Sequence, residues 1–128
     1  MLENKNILIG ITGGIAAYKI CTLIRLYRKP GANVRVVLTP NALNFVTKLT
    51  LQTLSNNEVY VDNFEIDEYK PEHIALTEAD IFVIAPASAN TIGKLANGMC
   101  DNLLLSTACA FSKPILIAPA MNENMWNN

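Results

Sequence analysis

The sequence predicts an α/β fold, a three-layer domain in which helices cover both faces of a doubly wound parallel sheet. Four short runs of apolar residues indicate buried strands, at residues 7–11, 34–38, 81–85 and 115–118. Continuous apolar runs, rather than alternating ones, are typical of parallel strands covered on both faces. Helical patterns separate these runs. Because crossovers between parallel strands are right-handed, a flavodoxin-like or Rossmann-like strand order is expected.

The elements between these strands follow from local signals. Apolar residues recur at helical spacing after the first strand, so a helix is expected over residues 15–29, where Pro and Gly end it. After the second strand, "TPNA" predicts a helix that reaches Phe45, because proline suits a first helical turn. The remaining predicted elements are a strand at 59–61 and helices at 50–54, 72–78, 88–97 and 102–110.

Composition limits the class of protein. The chain has 128 residues, which suits one domain, with 51% hydrophobic residues and a net charge of −1. No basic stripe is present, so no nucleic-acid partner is expected. No apolar run approaches the roughly 18 residues of a membrane-spanning helix, so no membrane association is expected. The high apolar fraction suggests strands buried on both faces, or burial between subunits.

The three cysteines, Cys21, Cys100 and Cys109, are odd in number and show no CxxC spacing. This pattern is typical of free thiols in a reducing compartment, so a cytoplasmic location is expected. We expect the three side chains to pack as small buried apolar groups. The sequence offers no metal-ligand cluster, carboxylate pair or Ser–His–Asp arrangement, and no metal site is predicted.

The stretch "GITGGIAAYK", residues 10–19, runs from a strand through a glycine pair directly into a helix. Glycines let the backbone approach a ligand, and a helix N-terminus presents free N–H groups to an anion. The stretch therefore predicts a phosphate near residues 12–15. It matches neither the Walker pattern nor G-x-G-x-x-G, since Lys19 is misplaced and no Ser or Thr follows it. A tight structural turn explains it almost as well.

Two later strand ends also carry polar groups. In "APASANTIGKLANG" the strand is followed by Ser88, Asn90 and Thr91, and in "PAMNENMW" by Asn122. Ser88 and Asn122 also suit helix caps, and both roles can hold at once. Ligands of open α/β sheets bind at the carboxyl ends of the strands. The strand ends together therefore predict a site for a phosphorylated cofactor.

His73, in "PEHIAL", is the single histidine of the chain. A lone histidine is more often structural than catalytic. Its imidazole nevertheless titrates near neutral pH and can transfer protons. The residues by themselves leave both roles open.

Five blocks of the sequence together resemble the homo-oligomeric flavin-containing cysteine decarboxylases. The blocks are "GITGGIAAYK", "VVLTPNALNFV", "HIAL", "APASANTIGKLANGMCDNLL" and "KPILIAPAMNENMW", and they cover nearly the whole chain in the same order. Within the family, the sequence is most similar to members that act on 4'-phosphopantothenoylcysteine in coenzyme A synthesis. The resemblance implies FMN as the cofactor and an active site at a contact between subunits of a homotrimer, often assembled into a dodecamer.

The resemblance also implies roles for individual residues. His73 matches the catalytic histidine of the family, and Asn122 matches the asparagine that grips the substrate carboxylate, with Met121 beside it in the substrate site. The cofactor contacts that the resemblance implies are Gly13, Gly14, Ile15, Thr39, Phe45, Pro86, Ser88, Asn90, Thr91 and Ala120.

The implied chemistry suits these side chains. In the family, oxidised FMN takes a hydride from the cysteine Cβ as the thiol loses its proton, giving a thioaldehyde. The C=S group then accepts the electrons released with CO₂, which leaves an ene-thiolate. His73 suits proton transfer near neutral pH. Asn122 can hold the carboxylate without a positive charge, which would stabilise the ground state and oppose loss of CO₂.

The family completes its reaction with a clamp cysteine downstream of "PAMN", whereas this sequence stops at Asn128. Residues 1–128 are therefore expected to form a single FMN-binding domain, truncated before the substrate clamp and impaired in completing the reaction. A fused or separate phosphopantothenoylcysteine synthetase is a candidate partner. Three alternatives stay open: a peptidyl-cysteine decarboxylase of lantibiotic maturation, a prenyl-flavin synthase, which should lack the "HIAL" and "PAMN" pair, and a non-catalytic FMN-binding regulatory subunit.

Overall fold

One parallel sheet organises the structure, a computed structural model that describes residues 1–61 and 76–128. Its described strands are β1 (Asn6–Ile11), β2 (Asn33–Leu38), β3 (Val59–Tyr60), β4 (Ile81–Ala87) and β5 (Ile115–Pro119). Their order across the sheet is β3-β2-β1-β4-β5, and each neighbouring pair is parallel. The chain thus winds outward from β1 to β3, returns to β4 beside β1, and winds outward again. The predicted doubly wound α/β fold is confirmed.

The described helices are α1 (Ile20–Arg28), α2 (Lys48–Ser55), α3 (Ala89–Ala96), α4 (Leu103–Ala110) and α5 (Glu123–Trp126). Two 3₁₀ helices, Ile15–Lys19 and Pro40–Asn44, precede α1 and α2. The helix expected to reach Phe45 is therefore only a short 3₁₀ segment, because the chain turns extended at Thr47 before α2 begins. Most of the helix expected at 72–78 lies outside the described residues.

Side-chain caps fix where most of the α-helices begin. The Thr47 and Ser88 hydroxyl oxygens accept hydrogen bonds from backbone N–H groups three residues ahead, each at 3.2 Å. Asn102 and Asn122 do the same through their Oδ1 atoms, at 2.8 and 2.9 Å. Each cap satisfies an N–H group that has no partner inside its own helix. Local sequence therefore determines which residues stand at the strand-to-helix turns.

Helices cover both faces of the sheet, as predicted. On one face the side chains of Ile7, Ile9 and Ile11 pack with residues of α1 and α2. On the other face Leu8 and Phe82 pack with residues of α4. Successive strand residues point to opposite faces, so β1 contributes fully buried side chains to both cores. This two-sided burial explains why its sequence is a continuous apolar run.

The prediction of a buried strand at 115–118 is only half right. β5 forms and pairs with β4, but all five of its residues are exposed, with Leu116 at 52%. An edge strand has a neighbour on one side only, and within the described residues no helix fully covers β5.

The expectation of buried cysteines is also wrong. Cys100 and Cys109 are exposed and Cys21 is half-buried, all three as free thiols.

The Cys100 thiol is made less reactive by its neighbour. A hydrogen bond with the Cys109 side chain raises the pKa of the Cys100 thiol. A raised pKa keeps the sulfur protonated, and the thiolate is the reactive form.

None of the described helices is long and apolar enough to cross a lipid bilayer.

Candidate functional site

A cleft of about 430 Å³ opens at the carboxyl ends of β1, β2 and β4. The chain winds outward in opposite directions from β1 and β4, and such a switch point is where open α/β sheets bind ligands. The residues that line the cleft are Gly13, Thr39, Pro40, Asn41, Ser88, Ala89, Asn90, Thr91, Lys94, Asp101, Asn102 and Met125. Half of the ten predicted cofactor contacts therefore lie together in one cavity.

Thr12 joins the turn after β1 to the turn after β4. It is completely buried, and its Oγ1 donates a hydrogen bond to the Pro86 carbonyl oxygen at 2.5 Å. The Thr12 Oγ1 also accepts a hydrogen bond from the Ser88 N–H at 2.9 Å. The Thr12 N–H also donates to the Pro86 carbonyl, at 3.3 Å. Sequence reasoning placed Thr12 in the glycine turn but assigned it no partner.

Ser88 forms the wall of the cleft that follows β4. Its Oγ lies 3.1 Å from the Oγ1 of Thr91 and caps the first turn of α3. Thr91 is buried, whereas Asn90 beside it is exposed. Helix capping and cleft lining therefore coexist in Ser88, as the sequence suggested. The N-terminus of α3 consequently borders the cavity, where an anion would be favoured.

Thr39 supplies the clearest sign of a ligand. It is 94% buried at the end of β2, where its backbone N–H donates to the Ile11 carbonyl at 3.0 Å. Its Oγ1, by contrast, is buried and has no hydrogen-bond partner within the described part of the chain. A buried unpaired hydroxyl costs about 1–3 kcal/mol, and native proteins rarely keep one without a reason. A bound molecule would provide the missing partner.

Gly13 lies against Asn41 on the floor of the same cleft. A Cβ atom added at Gly13 would overlap the Asn41 side-chain amide and lie 2.9 Å from the Asn41 Cβ. The Asn41 side chain is itself held, because its Oδ1 accepts a bond from Asn44 Nδ2 at 2.8 Å. Only glycine therefore fits between these two turns.

The far wall of the cleft holds an ion pair that sequence reasoning missed. Lys94 Nζ lies 2.8 Å from Asp101 Oδ2, and the neighbouring Asn102 caps α4. Met125 of α5 completes this wall. Lys94 lies within α3, Met125 within α5 and Asp101 between α3 and α4, and the packing of these helices decides their positions, so no local pattern indicated them. A helix was predicted to begin at Asn102, but the place of Asn102 in the same cleft as Thr39 was not predicted.

The "PAMNENMW" segment borders a second, smaller cavity of about 270 Å³, lined by Pro119, Ala120, Met121 and Trp126. The Ala120 N–H donates to the Ala87 carbonyl at 3.1 Å, which places this cavity beside the Ser88 turn. The Asn122 Oδ1 is used as the α5 cap. Its Nδ2 takes part in no hydrogen bond within residues 1–61 and 76–128, so it can donate to a ligand.

Four predicted cofactor contacts do not line either cavity. Ile15 and Phe45 are 78% and 41% exposed, and Pro86 is buried under its own turn. A Cβ atom added at Gly14 would lie 3.9 Å from the Pro86 Cγ, which is an ordinary van der Waals distance. Their assignment stays a prediction, as does that of His73, which lies outside the described residues.

Comparison with known proteins identifies the family. The family model described as "Flavoprotein" matches residues 1–128. A protein of Streptococcus mutans named "probable phosphopantothenoylcysteine decarboxylase" is 44% identical over 128 residues, covering 97% of this chain and 72% of that protein. The chain belongs to the flavin-containing cysteine decarboxylase family.

Other members of this family differ in length. A coenzyme A biosynthesis bifunctional protein of Bacillus subtilis is 46% identical over 132 residues, which cover 100% of this chain and 32% of that protein. The chain thus spans about a third of the length of such bifunctional relatives.

Solved structures of the family share the fold. A PPC decarboxylase variant in complex with pantothenoylaminoethenethiol matches with a TM-score of 0.82 and 39% identity over 98% of this chain and 72% of that chain. The peptidyl-cysteine decarboxylase EpiD matches with a TM-score of 0.85 and 30% identity over 98% of this chain and 74% of that chain. The two folds match about equally well, whereas the sequence identity favours PPC decarboxylase.

Proposed function

We propose that this chain binds FMN in the cleft at the ends of β1, β2 and β4 and uses it to decarboxylate phosphopantothenoylcysteine to phosphopantetheine. The observation that carries the cofactor part is the buried, unpaired Oγ1 of Thr39. The substrate part rests on the relatives, among them the PPC decarboxylase of known structure.

The residues present fit the phosphate end of a flavin nucleotide. Thr39 offers an unpaired hydroxyl, and Gly13 leaves space that a Cβ atom would fill. Within the described residues the backbone N–H groups of Gly13 and Gly14 make no hydrogen bond and can donate to phosphate oxygens. Lys94 is already paired with Asp101, so the anion would be held mainly by hydroxyl and amide groups.

When bound, FMN supplies the two-electron oxidation that makes the cysteine carboxylate able to leave as CO₂. The chain's own residues hold the substrate. Asn122 uses its Oδ1 to cap α5 and keeps Nδ2 for the carboxylate. This arrangement gives a fixed, uncharged donor, which binds the carboxylate without strongly stabilising the ground state. His73 is proposed to move the thiol proton.

A peptide with a C-terminal cysteine is the competing substrate, because the fold matches EpiD as well as it matches PPC decarboxylase. The decisive experiment supplies the purified, FMN-loaded protein with phosphopantothenoylcysteine or with such a peptide and measures CO₂ release. We expect release from the first substrate only. Release from the peptide alone would transfer the activity to the other branch of the family, and release from neither would favour a non-catalytic flavin-binding role.

Replacing Thr39 by Val tests the cofactor site. In the absence of FMN, the free energy of unfolding of the variant should be about 1 kcal/mol higher than that of the wild type, because a buried unpaired hydroxyl is removed. It should bind FMN about 10-fold or more weakly, since a hydrogen bond to a charged phosphate is lost. Chemical denaturation and titration of flavin fluorescence measure the two effects.

Thr107→Val is the matched control for this variant. The buried Thr107 Oγ1 donates to the Leu103 carbonyl at 2.8 Å inside α4, away from the cleft. This change should lower stability and leave FMN affinity unaltered. A Thr39→Val protein that binds FMN as tightly as the wild type would remove Thr39 from the site.

We also propose a homotrimer, or a dodecamer built from such trimers, in which neighbouring subunits cover the exposed apolar residues of β5 and α5. Leu116 and Trp126 are 52% and 64% exposed, an unusual position for such large apolar side chains. Light scattering on the purified protein tests this, and a monomer at micromolar concentration would contradict it. A phosphopantothenoylcysteine synthetase, fused or separate, is the proposed functional partner; relatives named as bifunctional proteins, of which this chain spans about a third, support it.

A further inference from the structure

Thr12 makes an unusual set of contacts for a residue that lines neither of the two cavities described above. It is completely buried at the junction of β1 and the glycine turn, and its three hydrogen bonds reach residues 74 and 76 positions away in the sequence. All three end on Pro86 or Ser88 in the turn after β4. Two of the three bonds are made by the Thr12 hydroxyl and one by its backbone N–H, and together they join two walls of the cleft.

Beyond the strand ladder, only one of these three bonds joins backbone to backbone, from the Thr12 N–H to the Pro86 carbonyl. The ladder between β1 and β4 has its last pair at Gly10 and Ile84. Beyond that pair, Pro86 has no N–H to donate, and the register of β4 against β5 shifts between Ile84 and Ala87. The bonds of Thr12 begin where the ladder stops, so they hold the two turns together in place of strand pairing.

We propose that Thr12 is a positioning residue of the flavin site. Its hydroxyl holds the turn that carries Gly13 in place relative to the turn that carries Ser88. It acts through its neighbours. The Ser88 N–H is held by Thr12, and the Ser88 Oγ in turn caps α3 at the border of the cleft. A ligand that contacts both turns binds more tightly when they are already in place, because no free energy is spent on ordering them.

This inference rests on the proposed function, and three variants test it. Thr12→Val removes the hydroxyl at nearly constant volume, Thr12→Ser keeps it, and Thr107→Val removes a buried, hydrogen-bonded hydroxyl elsewhere in the core. Two quantities are measured on each protein and on the wild type. They are the dissociation constant of FMN, from titration of flavin fluorescence, and the hydrogen-exchange rate of the Ser88 amide in the FMN-free protein.

We expect Thr12→Val to bind FMN about 10-fold more weakly than the wild type and to lose protection of the Ser88 amide. Thr12→Ser should restore both quantities. Thr107→Val should change neither, although it is less stable. A purely structural Thr12 would make the two Val variants alike in FMN affinity, and that result would overturn the inference. Failure of the Ser variant to restore binding would overturn it as well.

The two measurements separate this inference from the proposed function. If the wild type binds no FMN at all, the proposed function fails, and the role of Thr12 in flavin binding fails with it. If the wild type binds FMN but Thr12→Val retains full affinity, only the inference about Thr12 fails. A Ser88 amide that stays protected in Thr12→Val would likewise contradict the proposed role of the Thr12 hydroxyl in holding the Ser88 turn.

Discussion

Replacing His73 by Asn should lower the rate of CO₂ release from phosphopantothenoylcysteine by about 10²–10⁴-fold while FMN stays bound. Asparagine retains a hydrogen-bonding side chain of similar size but cannot accept and return a proton near neutral pH. Proton transfer by a positioned side chain contributes about 10²–10⁴-fold to a rate, so residual activity should fall to that extent. Single-turnover CO₂ release and the visible flavin spectrum measure the two properties on one sample.

The flavin spectrum is the internal control for this variant. An Asn variant that has lost its flavin would show that His73 supports the fold or the cofactor site rather than the chemistry. An Asn variant with full activity would remove His73 from the mechanism altogether.

Replacing Gly13 by Ala should weaken FMN binding strongly. The added Cβ would overlap the Asn41 side chain, whose Oδ1 is tied to Asn44, so the turn after β1 or the one after β2 must move. Both turns line the cleft, and their displacement should weaken FMN binding by at least about 10-fold, as measured by fluorescence titration.

Gly93→Ala is the matched control for this change. A Cβ atom at Gly93, in α3, meets no other atom within 4 Å. Alanine favours a helix over glycine by about 0.5–1 kcal/mol, so this variant should be slightly more stable with the same FMN affinity. A Gly13→Ala protein that binds FMN normally would show that the two turns can separate without affecting the site.

The sequence predicted the fold well because the relevant signals are local. Apolar runs identified β1, β2 and β4 to within two residues at each end, and the capping residue Ser88 marked the start of α3. Local signals could not predict burial at the edge of the sheet. The run at 115–118 looks like the other strands, yet β5 is exposed because of its place in the strand order.

The candidate site was predicted in part for the same reason. Strand ends are visible in a sequence, so the glycine turn with Gly13 and the turn with Ser88 could be named from the residues. Thr39 was named from the family resemblance, and all three line one cleft. The hydrogen bond from the Thr12 hydroxyl to Pro86 and the Lys94–Asp101 pair depend on which turns become neighbours, which only tertiary structure reveals. The unpaired hydroxyl of Thr39 is likewise a property of its completed surroundings, since nothing in "VVLTPNA" distinguishes a satisfied threonine from an unsatisfied one.

The most direct measurement is a crystal structure of the protein grown with FMN. The cofactor should occupy the cleft between Gly13, Thr39 and Ser88, with a phosphate oxygen within hydrogen-bond distance of the Thr39 Oγ1. A structure in which that cleft contains no flavin at saturating FMN, or in which the flavin binds at another place on the chain, would contradict the proposed cofactor site.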